Sequence, residues 1–159
     1  MNDCQRSRNM NWNKDKSLAL SQVCVWIFAV LLAAGAVGAP WVFRMFIETR
    51  GEILDGTLPY FLTSTYTTVI PVTAALILLY RLLSNIKRGD VFQQGNVRCL
   101  RGLSWCCLIA GLICLISAVY YLPFLALAVM AVFMSLILRV IKNVFAEALA
   151  LKEENDYTI

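Results

Sequence analysis

Residues 102–138 read GLSWCCLIAGLICLISAVYYLPFLALAVMAVFMSLIL and contain no Asp, Glu, Lys or Arg. As one α-helix this stretch would run roughly 55 Å at 1.5 Å per residue, against a hydrocarbon core of about 30 Å. It must therefore fold back on itself. The return falls at Tyr120-Tyr121-Leu122-Pro123. Proline suits the first position of a helix, where its missing N–H costs nothing, and tyrosine rings favour the membrane–water interface. The stretch is read as a tight hairpin of two membrane helices, near 102–121 and 123–141. Arg101 and Arg139 flank it, with side chains long enough to reach the interface from slightly short spans.

Two further uncharged runs precede it, Ser17 to Phe43 and Gly56 to Tyr80. Each exceeds the roughly 20 apolar residues that a membrane helix needs. They predict helices near 18–43 and 58–83. The first is longer than the 7–15 residues or so of a signal-peptide core, so it is read as a retained span, although Ala36, Gly38 and Ala39 weakly resemble a cleavage site. The predicted fold class is all-α, an integral membrane four-helix bundle. It divides into a tail (1–17), a membrane domain (18–141) with connections at 44–57 and 84–101, and a C-terminal helix and tail (142–159). Composition agrees: 60% of the 159 residues are hydrophobic and 15% charged, with mean hydropathy +0.69. Soluble domains carry about 45–50% apolar and about 25% charged residues. A soluble enzyme, a disordered chain and a nucleic-acid-reading domain all fit poorly.

Lys and Arg set the orientation. With four spans, Arg44 and Arg50 alone stand on one side. The other 12 of the 14 basic residues (14 less those two) stand opposite: Arg6, Arg8, Lys14 and Lys16; Arg81, Lys87, Arg88, Arg98 and Arg101; Arg139, Lys142 and Lys152. Both termini and the 84–101 loop are thus expected in the cytoplasm. The net charge of +4 reads as topology and attraction to anionic headgroups, not as a nucleic-acid footprint.

The spans carry few polar groups. Ala34/Gly38 and Gly35/Ala39 are small residues at i, i+4 that allow close helix packing, within the chain or between copies, and Pro40 is expected to kink or end that helix. The second span is the polar one, with Thr63, Ser64, Thr65, Thr67, Thr68 and Thr73 around Pro71. Pro71 frees the carbonyl of Thr67, and nearby hydroxyls can repair such a gap in lipid. Alternatively Thr63, Ser64, Thr67, Thr68 and Pro71 form an outward-facing polar groove for a small ligand, lipid or peptide. Cys99, Cys106, Cys107 and Cys114 lack C-x-x-C spacing and there is no histidine, so they read as small packing residues rather than metal ligands or redox centres. No ionisable residue falls at a membrane midplane, which argues against a pump or coupled transporter. No nucleophile has an activating base. No cofactor, metal or catalytic residue is expected.

Beyond the spans, Gly89-Asp90 is a turn signal, Val91 and Phe92 are expected to dip back onto the bundle, and Asn96 to cap an approach to the third span. Val140, Ile141, Val144, Phe145, Ala148 and Leu151 recur at helical spacing. They predict an amphipathic extension of the last helix that docks on the bundle, lies on lipid or binds a partner helix. The stretch from Asn85-Ile86-Lys87-Arg88-Gly89-Asp90-Val91-Phe92 through Asn96 to Leu103, and the end from Leu138-Arg139-Val140-Ile141-Lys142-Asn143-Val144-Phe145 to Glu154-Asn155-Asp156-Tyr157-Thr158-Ile159, resemble the domain-of-unknown-function 2975 family, small bacterial membrane proteins of four predicted helices. Tyr157 stands where the family often has leucine. The family has no established biochemical activity, so the resemblance supplies no catalytic residues. It implies a neighbouring gene for a small Cro-like helix-turn-helix regulator, and hence a membrane partner for that regulator. Arg98, Arg101, Phe145 and Glu154 are the candidate docking residues. The competing expectations are a self-contained peptide- or lipid-responsive immunity or envelope-stress protein, and an accessory transport subunit.

Overall fold

The computed structural model describes the backbone over residues 2–50, 56–88 and 93–156, and side chains over 18–49, 56–88 and 93–154. The readings on Cys4, on the cationic side chains of the N-terminal tail, on Gly89-Asp90-Val91-Phe92 and on Tyr157-Thr158-Ile159 lie outside these residues. Four helices account for almost all of it: α1 (Asn2–Arg50), α2 (Leu58–Lys87), α3 (Gln94–Ser117) and α4 (Pro123–Asp156). All four are long and apolar enough to cross a membrane.

The hairpin within 102–138 is present. Helix α3 ends at Ser117, and Ala118 to Tyr121 turn back through backbone bonds to Cys114, Leu115, Ile116 and Ser117. Pro123 opens α4. Helix boundaries otherwise run past the uncharged stretches. Helix α1 begins at Asn2 instead of near 18, and α3 at Gln94 instead of 102; neither stretch holds a proline that would stop a helix, and charged residues bar a helix from lipid without barring it from water. Asn96 does not cap α3: the cap position is Gln93, and Asn96 is fully buried, accepting a bond from Asn85 Nδ2 at 2.9 Å.

Pro40 does not end α1, since the helix continues to Arg50. Proline removes the N–H that would bond the carbonyl four residues back. That carbonyl, on Ala36, receives the Tyr66 hydroxyl from α2 at 3.2 Å.

Consecutive helices pack antiparallel. Trp26 meets Tyr80 and Phe43 meets Phe61 between α1 and α2. Ser64 meets Ser117 and Asn85 meets Asn96 between α2 and α3. Ser104 meets Ser135 between α3 and α4. The extended interfaces among the described residues are these three, so α1 and α4 form the edges of an open array. Helix α3, in the middle, is kept thin where it touches both neighbours. A Cβ on Gly102 would lie 2.8 Å from Leu78 Cδ1, and one on Gly111 would lie 3.2 Å from Val132 Cγ2 and 3.3 Å from Ala131 Cβ.

At the end opposite the α2–α3 connection an aromatic cluster clasps the array. Phe61, 2% exposed, stands at its centre. Phe43 of α1, Tyr120 and Tyr121 of the turn and Phe124 of α4 surround it at ring-centroid distances of 5.2, 5.1, 5.5 and 5.9 Å. Each such pair is worth about 0.5–1.5 kcal/mol beyond its buried area. Elsewhere the helices present bare apolar surface: Trp41 is 83% exposed, Ile116 73% and Met130 66%. Water would penalise such a surface heavily, whereas lipid tails solvate it.

Candidate functional site

Two recesses open at the basic end of the array, where α3 begins and α4 runs on. The first, of about 330 Å³, lies between the first turns of α3 (Gln94, Val97, Arg98, Arg101) and the far part of α4 (Ala146, Leu149, Ala150, Glu153). Small Ala146 and Ala150 leave the space, and α3 turns Arg98 and Arg101 into it because they sit three residues apart on one helix face. The recess therefore offers two guanidinium groups, a short apolar wall and one carboxylate.

The second recess, of about 290 Å³, is lined by Arg101, Ser104, Trp105, Arg139, Lys142 and Asn143. It is built on a buried hydroxyl pair. Ser104 Oγ lies 3.1 Å from Ser135 Oγ and 3.1 Å from the Ser135 carbonyl, and Ser135 Oγ donates to the Ser104 carbonyl at 2.9 Å. Both serines are about 2% exposed. Arg139 Nε donates to Ser104 Oγ at 3.3 Å, and its guanidinium lies 5.5 Å from the centre of the Trp105 ring, within cation–π range. Ser104, itself held by Ser135, and the Trp105 indole thus hold Arg139 between them.

The candidate docking residues are only partly gathered. Arg98 and Arg101 share the first recess, while its acidic member is Glu153 rather than Glu154. Phe145 is half-buried and Glu154 exposed, outside that lining. In the apolar stripe expected after the last span, Val140, Val144 and Leu151 are each more than half exposed, and the wall facing α3 is made by Ala146, Leu149 and Ala150 instead.

Three hydroxyls of the second span serve their own backbone. Thr67 bonds the Thr63 carbonyl, Thr68 that of Ser64 and Thr73 that of Val69, each at 2.7 Å. None of these three bonds reaches the Thr67 carbonyl that Pro71 frees. Ser64 turns inward to Ser117 Oγ at 2.7 Å and to the Tyr120 hydroxyl at 2.8 Å, and Pro71 is buried. The groove on this side is an apolar one of about 570 Å³ between α1 and α2, which α2 lines with Val69, Thr73, Leu76, Ile77, Tyr80 and Arg81. Thr63, Ser64, Thr67 and Thr68 are not in its wall. Of the small residues on α1, Ala39 is buried, whereas a Cβ on Gly35 or Gly38 would meet nothing within 4 Å.

Cys24, Cys99, Cys106, Cys107 and Cys114 are free thiols. Among the described residues no three His, Cys, Asp or Glu side chains converge as a metal site would require, and no buried side-chain polar atom lacks a hydrogen-bond partner.

Four long apolar helices, bare apolar flanks and a charged end define a multi-pass α-helical membrane protein. Residues 18–159 match the model of the family described as protein of unknown function (DUF2975), and the chain belongs to that family. No curated protein and no solved structure matches it.

Proposed function

We propose that this protein is a non-enzymatic regulatory protein of the bacterial plasma membrane, with both termini in the cytoplasm, which docks a small cytosolic Cro-like helix-turn-helix regulator. The observation that carries the proposal is the recess between the start of α3 and the far part of α4, where Arg98 and Arg101 face Leu149, Ala150 and Glu153. A short apolar wall between charges of both signs suits the side of an amphipathic protein helix. The same carboxylate would repel a nucleic-acid backbone. The skew of Lys and Arg favours the cytoplasm for this end, where such a regulator resides.

The test is co-purification. The full-length tagged protein is co-expressed with the helix-turn-helix regulator encoded nearest to it and extracted in mild detergent. Wild type should retain the regulator, and Arg98→Glu should lose most of it. If wild type retains none, or Arg98→Glu retains as much, this function is wrong.

A further inference from the structure

The second recess has a chemistry of its own. Arg101, Arg139 and Lys142 line it together and no carboxylate does. Three cations around one small space favour an anion between them, and Glu153, which shares the first recess with Arg101, does not line this one. Arg139 is already committed in position by Ser104 Oγ and the Trp105 ring. A guanidinium has five donors in a fixed fork, so holding Nε on Ser104 still leaves four on the terminal nitrogens. Asn143 adds a neutral amide. Fixed guanidinium forks beside an ammonium group match the oxygens of a phosphate group.

The position of the recess indicates where that phosphate comes from. Arg101 and Arg139 are the charges that bracket the uncharged stretch 102–138, and the hairpin returns both to one level. Arginine at the ends of an uncharged run, with a tryptophan beside it, suits the boundary between hydrocarbon and headgroups, where snorkelling cations and tryptophan reside. Trp105 is 54% exposed, and Leu136 and Val140, which flank Arg139 along α4, also stand exposed, offering a surface for acyl chains. We propose that this recess is a binding site for the phosphate headgroup of an anionic phospholipid. The site is distinct in its centre from the regulator recess, although Arg101 lines both.

The experiment is native mass spectrometry of the full-length protein, released from detergent containing equimolar phosphatidylglycerol and phosphatidylcholine with identical acyl chains. Wild type should retain phosphatidylglycerol in preference, by about tenfold or more. Lys142→Gln should reduce that preference about fivefold, from roughly 1 kcal/mol per membrane-proximal cation, and Lys142→Arg should preserve it. Lys142 is the position of choice because Arg139 also supports the helix pair, so that its replacement could disturb folding. Arg98→Gln lies outside the recess and should leave lipid preference unchanged, so that loss of regulator capture and loss of lipid binding are read separately. Equal retention of both lipids by wild type overturns the proposal, as does an unchanged preference in Lys142→Gln. Displacement of the lipid by millimolar inorganic phosphate as completely as by excess phosphatidylglycerol would assign the recess to a soluble anion and overturn it too.

Discussion

Gly111→Leu tests the α3–α4 interface at a point of close approach. Gly111 is buried in α3, and a Cβ there would lie 3.2 Å from Val132 Cγ2, 3.3 Å from Ala131 Cβ and 3.4 Å from the Ala128 carbonyl. The first two are side-chain atoms that a small shift relieves, but the third is backbone of a helix. Alanine would ask the neighbours to yield a few tenths of an ångström. Its cost, near the low end of the 1–3 kcal/mol or so of overpacking, is nearly cancelled by the roughly 0.8–1 kcal/mol that alanine gains over glycine in a helix. Leucine adds three more carbons in the same direction. It therefore incurs about 3 kcal/mol of overpacking, less roughly 0.8 kcal/mol of helix propensity, for a net loss of about 2 kcal/mol. Gly35→Leu is the matched control, since Gly35 faces open space and should be neutral or slightly stabilised. Unfolding in SDS–detergent mixtures, followed by far-UV circular dichroism, compares the two. Gly111→Leu should unfold at clearly lower SDS than wild type, Gly111→Ala close to it, and Gly35→Leu at or above it. If Gly111→Leu and Gly35→Leu unfold together, α3 and α4 do not approach each other as described.

The same assay addresses two polar contacts. Ser104→Ala and Ser135→Ala should each cost about 1 kcal/mol, and together less than their sum, with a coupling of roughly 0.6–1.7 kcal/mol; strictly additive losses would mean that the hydroxyls do not meet. Tyr66→Phe removes the donor to the Ala36 carbonyl and should cost about 1 kcal/mol. In a Pro40→Ala background the restored backbone N–H takes over that carbonyl, so Tyr66→Phe should become almost silent, and an equal loss in both backgrounds would refute the repair.

The architecture was legible because lipid imposes a one-dimensional rule: a spanning helix must be apolar for its whole length. The run from Gly102 to Leu138 was too long for one span, and the Tyr-Tyr-Leu-Pro return divides it where the structure does. Boundaries outside lipid obey no such rule, which is why α1 and α3 begin well before their uncharged segments. Asn96 illustrates the same limit. Asparagine before an apolar run is a normal helix-start signal, but here tertiary contact with Asn85 decides its role.

The polar interior was harder to read, because every Ser and Thr in a span has two outlets, its own backbone four residues back or a facing helix. Thr67, Thr68 and Thr73 take the first, while Ser64, Ser104 and Ser135 take the second. Composition cannot separate these groups, but hairpin geometry can. In a tight antiparallel pair, residues equidistant from the turn face one another. Ser104 and Ser135 stand at nearly equal distances from the Tyr120 turn, and so do Arg101 and Arg139, which end up lining one recess. Asn85 and Asn96, like Ser64 and Ser117, stand at equal distances from the α2–α3 connection. Once the turns are located, folding the sequence about them pairs its interior polar residues without further information. On that reading, the basic recess follows from a run of uncharged residues bracketed by arginine at both ends and folded at its middle.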